Sequence, residues 1–259
     1  MSAPGWIESL ARRDRAIVLA GLAGLTALAW IHLVRLSREM TDMAEMGMVH
    51  VRAWTAGDAA LAAVMWLVMM LGMMLPAAAP MILVFTTVNR RRQVAGGGPY
   101  VDTSLFTLGY LVVWTAFSAG AAAAQWGLGA AALLSPEAMT AAPWLGTVLL
   151  AAAGVYQLTP LKYACLARCQ TPVGFLLTEW REGRAGAFVM GWRHGLFCLG
   201  CCWVLMTLLF VGGVMNLTWV AALAVFVLVE KVVPAGRAVS WASGVFLLAW
   251  ALWTLGAGH

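Results

Sequence analysis

An all-α fold, a polytopic bundle of about seven transmembrane helices, is what the sequence predicts, and three observations predict it. Of the 259 residues, 63% are hydrophobic. Only 10% are charged, against about 25% in an average soluble domain. Apolar runs able to cross a roughly 30 Å hydrocarbon core recur along the chain, and the segments between them alternate in positive charge. With a mean hydropathy of +0.85, the chain has too little polar surface for a soluble protein. Its length suits one membrane domain over 1–259.

The predicted spans lie near 15–36, 58–88, 103–134, 143–160, 185–212, 216–233 and 238–256. The first follows Arg12, Arg13 and Arg15, as a signal peptide would, but its apolar run from Ile17 to Val34 is too long for an h-region and lacks a small-x-small cleavage site. The second contains Pro76 and Pro80, which remove helix hydrogen bonds and predict a kink. The third carries a small-residue stripe, Ala116, Gly120 and Ala124, and the fifth a G-x-x-x-G step, Gly191 and Gly195. Both suit close helix approach in lipid. The fourth and sixth are the shortest. Trp54, Trp144 and Trp219 sit near span ends, as an interfacial belt requires.

Arginine and lysine cluster in the N-terminal tail, at Arg90–Arg92, at Lys162, Arg168, Arg181 and Arg184, and at Lys231 and Arg237. The alternate segments hold none, apart from a mixed first loop. The positive-inside rule then predicts a cytoplasmic N-terminus and an external C-terminus in a bacterial inner membrane. The net charge of +5 forms no stripe and accompanies no nucleic-acid motif, so the expected partner of these cations is the lipid bilayer, not nucleic acid.

Four groups of soft side chains carry the chemistry. In G-W-R-H-G-L-F-C-L-G-C-C-W, residues 191–203, His194, Cys198, Cys201 and Cys202 cover an arc of about 100° on a helix, on the side of Gly191 and Gly195. An ionisable side chain in a span is rare and usually functional. The rise from 194 to 202 is about 12 Å, against metal bonds of about 2.0–2.3 Å. All four therefore cannot hold one ion on a straight helix; other helices must contribute, or the four form a ladder of sites. In the second span Met65, Met69 and Met73 form a stripe that Met70 and Met74 broaden. Met69 and Met73 are candidate soft ligands, although methionine also fills irregular helix interfaces. In the first loop, Met40, Met43, Met46, Met48 and His50 fall within eleven residues. On the predicted external side they suit capture of copper by thioethers, which oxidising surroundings spare, or else an amphipathic stretch in the headgroups. Cys165 and Cys169, at C-x-x-x-C spacing in a predicted cytoplasmic loop, lie beside Lys162 and Arg168, and adjacent cations favour thiolate. They are a candidate soft-metal site, or a pair of unliganded thiols. Glu230 and Lys231 read as a pair snorkelling to the surface. Arg193 points away from the cysteines and has no assignable partner.

The segments M-W-L-V-M-M-L-G-M-M-L-P-A-A-A-P, Y-Q-L-T-P-L-K-Y-A-C-L-A-R-C and G-W-R-H-G-L-F-C-L-G-C-C-W resemble a bacterial family of unknown function. Its members are described as predicted metal-binding integral membrane proteins, and some are labelled copper chaperones. The resemblance runs from about residue 58 to 235 and does not reach the methionine-rich first loop.

Three functions are compatible with these residues. The first is handling of a soft metal, copper or alternatively zinc, bound, transferred or delivered to a membrane cuproenzyme or received from a metallochaperone. The second is a metal-free assembly subunit. The third is a thiol or haem redox protein, which the sequence supports less: the external segments hold no cysteine, and His32, near a span end, is the one further histidine within a span. No nucleotide-binding loop or hydrolase motif is present, so an enzyme is the less expected outcome.

Overall fold

Helix formation follows the apolar runs closely. The computed structural model describes residues 5–46, 55–96, 101–135 and 139–256. These contain α1 (Gly5–Glu45), α2 (Ala56–Val94), α3 (Thr103–Ala130), α4 (Pro143–Gln157), α5 (Pro160–Gln170), α6 (Pro172–Glu179), α7 (Gly183–Thr207), α8 (Leu209–Gly212), α9 (Leu217–Val232) and α10 (Gly236–Gly256). The β structure among the described residues is an isolated bridge between Leu134 and Ala141. Five helical stretches are long and apolar enough to cross a membrane, and α4 with α5, bent by 66° at their junction, would make a sixth. α9 has 16 residues, too few for that test. Many outward side chains are apolar, among them Leu177, Leu252 and Trp253, as a helix exterior in contact with lipid requires.

Local chemistry sets the ends. Thr55 and Asp58 form a capping box on α2, Asp102 caps α3 through the Ser104 N–H, and Asn216 caps α9 through the Trp219 N–H. Proline opens α4, α5 and α6, where its missing N–H costs nothing. α2 continues through Pro76 and Pro80. Pro76 offers no N–H to the Gly72 carbonyl, and the Trp30 indole of α1 donates to that oxygen at 3.2 Å instead.

Packing corrects several expectations. α1 does not end near residue 36 but runs to Glu45. Ser37–Glu45 contains no glycine or proline, and its Arg38 and Asp42 stand at favourable i, i+4 spacing. Met40 therefore lies on a helix. Met48 and His50, and the side chain of Met43, lie outside the described residues. The stripe of Ala116, Gly120 and Ala124 faces outward. α3 instead buries Gly109, Tyr110, Val113, Trp114 and Gln125, and along this seam Gly109 meets the Phe188 and Trp192 backbone of α7 while Gly191 and Gly195 of α7 meet Phe106 and Val113 of α3. A Cβ on Gly191 would strike the Phe106 carbonyl, and one on Gly109 the Phe188 carbonyl. Only glycine permits this approach. Arg193 pairs with Glu179 of α6.

The largest correction concerns Glu230 and Lys231. Neither reaches the surface. Glu230 is fully buried and pairs with the buried Lys162 at 2.8 Å. It also accepts from the Gln157 amide at 3.0 Å and the Ser240 hydroxyl at 2.6 Å. Lys231 points the other way, into the bundle. Snorkelling fails because Glu230 shares the inward face of α9 with Val220, Leu223 and Val227, and the α4–α5 bend supplies it with a cation.

Candidate functional site

The bend between α4 and α5 brings the cysteines together. Thr159 caps α5, its hydroxyl accepting from the Lys162 N–H at 3.3 Å. Lys162 then reaches inward to Glu230 and donates to the Cys201 carbonyl at 2.9 Å. These links hold α5 across α7. Cys165 and Cys169 are accordingly not in a solvated loop. Cys165 lies over Gly200, where an added Cβ would sit 2.7 Å from its sulfur. Cys169, partly buried, reaches the Cys198 and Cys201 thiols.

On α7, Cys198, Cys201 and Cys202 are almost wholly buried. The Cys201 and Cys202 thiols donate back to the Cys198 carbonyl at 3.1 Å and 2.9 Å, and Cys202 also touches the other two thiols. Four thiols from two helices thus share one dry volume. The limit set by the rise of a single helix is relieved by Cys169, which comes from α5.

The walls are polar and specific. Lys231 Nζ lies 2.8 Å from Cys198 Sγ, and 4.0 Å from both Cys202 Sγ and Met74 Sδ. The Tyr110 hydroxyl is 3.2 Å from Cys198 Sγ and donates to the Met74 carbonyl at 3.1 Å. His194, one turn before Cys198, is 2% exposed. Its ring stacks on Tyr110 and Phe106 and meets Phe175 edge-on, and its Nδ1 has no hydrogen-bond partner.

The other candidates separate from this cluster. Met69 and Met73 are buried in α2, but Met74 is the thioether beside Lys231. α1 and α2 run antiparallel, fixed by Asp14 to Arg90 at 2.6 Å and by Trp30 to Gly72. That register carries half-buried Met40 and exposed Met46 toward the Ala56 end of α2, away from the thiols. The structure therefore does not bring Met40 or Met46 to the cysteines.

Sequence reasoning missed Lys162, Glu230, Lys231 and Tyr110 as site residues. For Glu230 the signal was present, because counting back from it by three or four residues meets only apolar positions. Among the described residues, no three His, Cys, Asp or Glu side chains are set as a ready-made ion site. The Cys201 and Cys202 thiols spend their hydrogen bonds on the backbone, and Cys198 is bonded to Tyr110 and Lys231. The donor set still fits a soft-metal cargo: buried thiols and one thioether are ligands that suit Cu(I) or zinc.

A family model, PpoB2, with the description "Copper chaperone", matches residues 63–254. The match takes in every residue of the thiol cluster and its walls, and leaves α1 outside. No curated protein and no solved structure matches the chain.

Proposed function

Since the chain belongs to the copper chaperone family, we propose that it holds Cu(I) as cargo in a bacterial inner membrane and delivers it to a membrane cuproenzyme. The cargo would sit among Cys169, Cys198, Cys201 and Cys202, with Met74 and Lys231 beside it. One observation carries the reading: α5 and α7, on either side of the short α6, bring the partly buried Cys169 together with the buried Cys198, Cys201 and Cys202. In the reducing cytoplasm such thiols stay unpaired as disulfides and available to a soft metal.

The same reading takes α9 as a seventh, short span. Trp219 near its start donates to the Leu208 carbonyl at the end of α7, and Lys231 near its end meets Cys198. α9 thus runs back along α7, through the layer that α4 and α10 also traverse. Those two are antiparallel, with Thr147 against Thr254 and Gln157 against Ser243. With the arginine clusters inside, the N-terminus is cytoplasmic, the C-terminus external, and the thiols lie toward the cytoplasmic border. α2, α3 and α7 extend beyond that border.

The test is elemental analysis of protein purified in mild detergent under reducing conditions and loaded with Cu(I), beside a Cys169→Ser/Cys198→Ser/Cys201→Ser variant. Near-stoichiometric copper that the variant loses is the expected result. Zinc in place of copper would change the cargo and leave the site standing. No metal in the wild type would leave a metal-free assembly subunit as the function.

A further inference from the structure

We infer that Cu(I) enters the thiol cluster from the cytoplasmic side through a port at the α6–α7 turn, passing along α7 by way of Met190 and His194. This inference rests on the cargo reading above and gives its direction of loading. A small polar cleft opens there, lined by Phe85, Asn89, Arg92, Trp180, Glu182 and Met190. The Arg92–Glu182 ion pair lies in its wall, with the Arg92 guanidinium 4.8 Å above the Trp180 ring. Met190 forms its inner end. It is 1% exposed, and its sulfur accepts the Arg181 N–H at 3.4 Å.

From Met190 the soft donors recur at every fourth residue of α7: Met190, His194, Cys198, Cys202, all buried. Each step advances about 6 Å and turns about 40°, so successive donors overlap along one inward-facing line. His194 supplies the second, independent observation. An imidazole nitrogen in this position, walled by Phe106, Tyr110 and Phe175 and lacking a hydrogen bond, is costly to leave unsatisfied, because burial has stripped it of water. A histidine kept only for packing has no need of that nitrogen. One that takes an ion in passing needs it free.

The order of donors gives the direction. Thioether and imidazole bind Cu(I) less tightly than thiolate, so affinity rises from Met190 through His194 to the cysteines. Each transfer is a ligand exchange in which copper stays monovalent. One copper–ligand bond forms as another breaks, and the donor keeps its electron pair. The carrier thiolate released at the mouth takes a proton from water at the first step, and at the last step the accepting thiol releases one to water by way of the partly exposed Cys169, so protons balance over the whole transfer. Arg181, exposed at the mouth, suits an anionic Cu(I)–thiolate carrier.

The experiment uses the full chain in inside-out membrane vesicles, with Cu(I) presented as its glutathione complex. Uptake rate and end-point stoichiometry are both measured. Met190→Leu/His194→Phe keeps the volume and the ring stacking while removing both donors, and Met190→Leu alone is the milder control. The expected result is uptake slowed at least about tenfold in the double variant, and less in the single, with the wild-type end point unchanged. Wild-type rates in the double variant would overturn the port. So would loss of its end point, which would make these residues holding ligands. Absence of copper from the wild type is a different failure, which removes the cargo reading and the port with it.

Discussion

Removal of the Glu230 carboxylate should weaken the fold far more than loss of a surface charge. Glu230→Ala leaves the buried Lys162 ammonium with one remaining acceptor, the Cys201 carbonyl at 2.9 Å. The Ser240 hydroxyl loses its acceptor, while the Gln157 amide keeps Ser243 at 2.6 Å. Breaking a buried ion pair by removing one partner costs about 3–5 kcal/mol. Replacing both partners by apolar residues is far milder, so Lys162→Met/Glu230→Leu should be more stable than Glu230→Ala alone. The coupling between the two sites should be at least about 2 kcal/mol, within the range for residues in contact. Reversible unfolding of wild type, Lys162→Met, Glu230→Leu and the double variant in mixed micelles titrated with SDS, followed by fluorescence of the 14 tryptophans, gives all four corners of the cycle. A Glu230→Ala cost within about 0.5 kcal/mol, the size seen at ordinary surface positions, would refute the reasoning. It would return Glu230 to the membrane surface, where its neighbour Lys231 first suggested it belonged. A double variant as unstable as the sum of the singles would refute the pairing while leaving the burial in place.

Other outcomes follow from the same geometry. Gly191→Leu should push α3 from α7 at Phe106, costing about 1–3 kcal/mol or more by overpacking. Its folded yield on size exclusion should fall, and a wild-type yield would show that the seam is looser than described. Lys231→Met should weaken Cu(I) binding about tenfold or more, because two thiolates around a monovalent ion carry one net negative charge that the ammonium offsets. Charge-assisted contacts of this kind contribute about 1.5–3 kcal/mol. Competition with a Cu(I) chelator measures it, and Lys231→Arg should keep most of the affinity. Equal affinity in Lys231→Met would remove the ammonium from the site.

Much of the helical layout was legible because apolar run length and caps are local properties. The cysteine face of α7 could be read too, since four residues on one helix fix their own relative angles, and Gly191 and Gly195 marked the side where a neighbour comes close. What could not be read was which neighbour. Ala116, Gly120 and Ala124 fit the same spacing rule and face outward, because small residues permit close packing without compelling it. Cys169 looked like a loop residue because a 66° bend between helices leaves no mark in composition. Lys231 looked like an interfacial cation because snorkelling is the common fate of lysine at the end of an apolar run. Its actual place depends on Cys198, 33 residues away in sequence, and no local pattern encodes that distance.

The Trp30 hydrogen bond to the Gly72 carbonyl bears on how the molecule divides. α1 lies on the outside of the bundle, with 17% of its apolar window buried against 50% for α2, and the family match begins beyond it. A proline in α2 frees a carbonyl, and the indole of a peripheral helix satisfies it. In lipid such a carbonyl has no water to turn to, so the bond works as a latch between an inner barrel and an outer stave. Unlatching strands the Gly72 carbonyl and takes from Arg90 its pairing with Asp14 of α1. α1 is therefore peripheral to the cysteine-bearing interior, and its indole, not its packing alone, is what the Gly72 carbonyl requires of whatever lies on that flank.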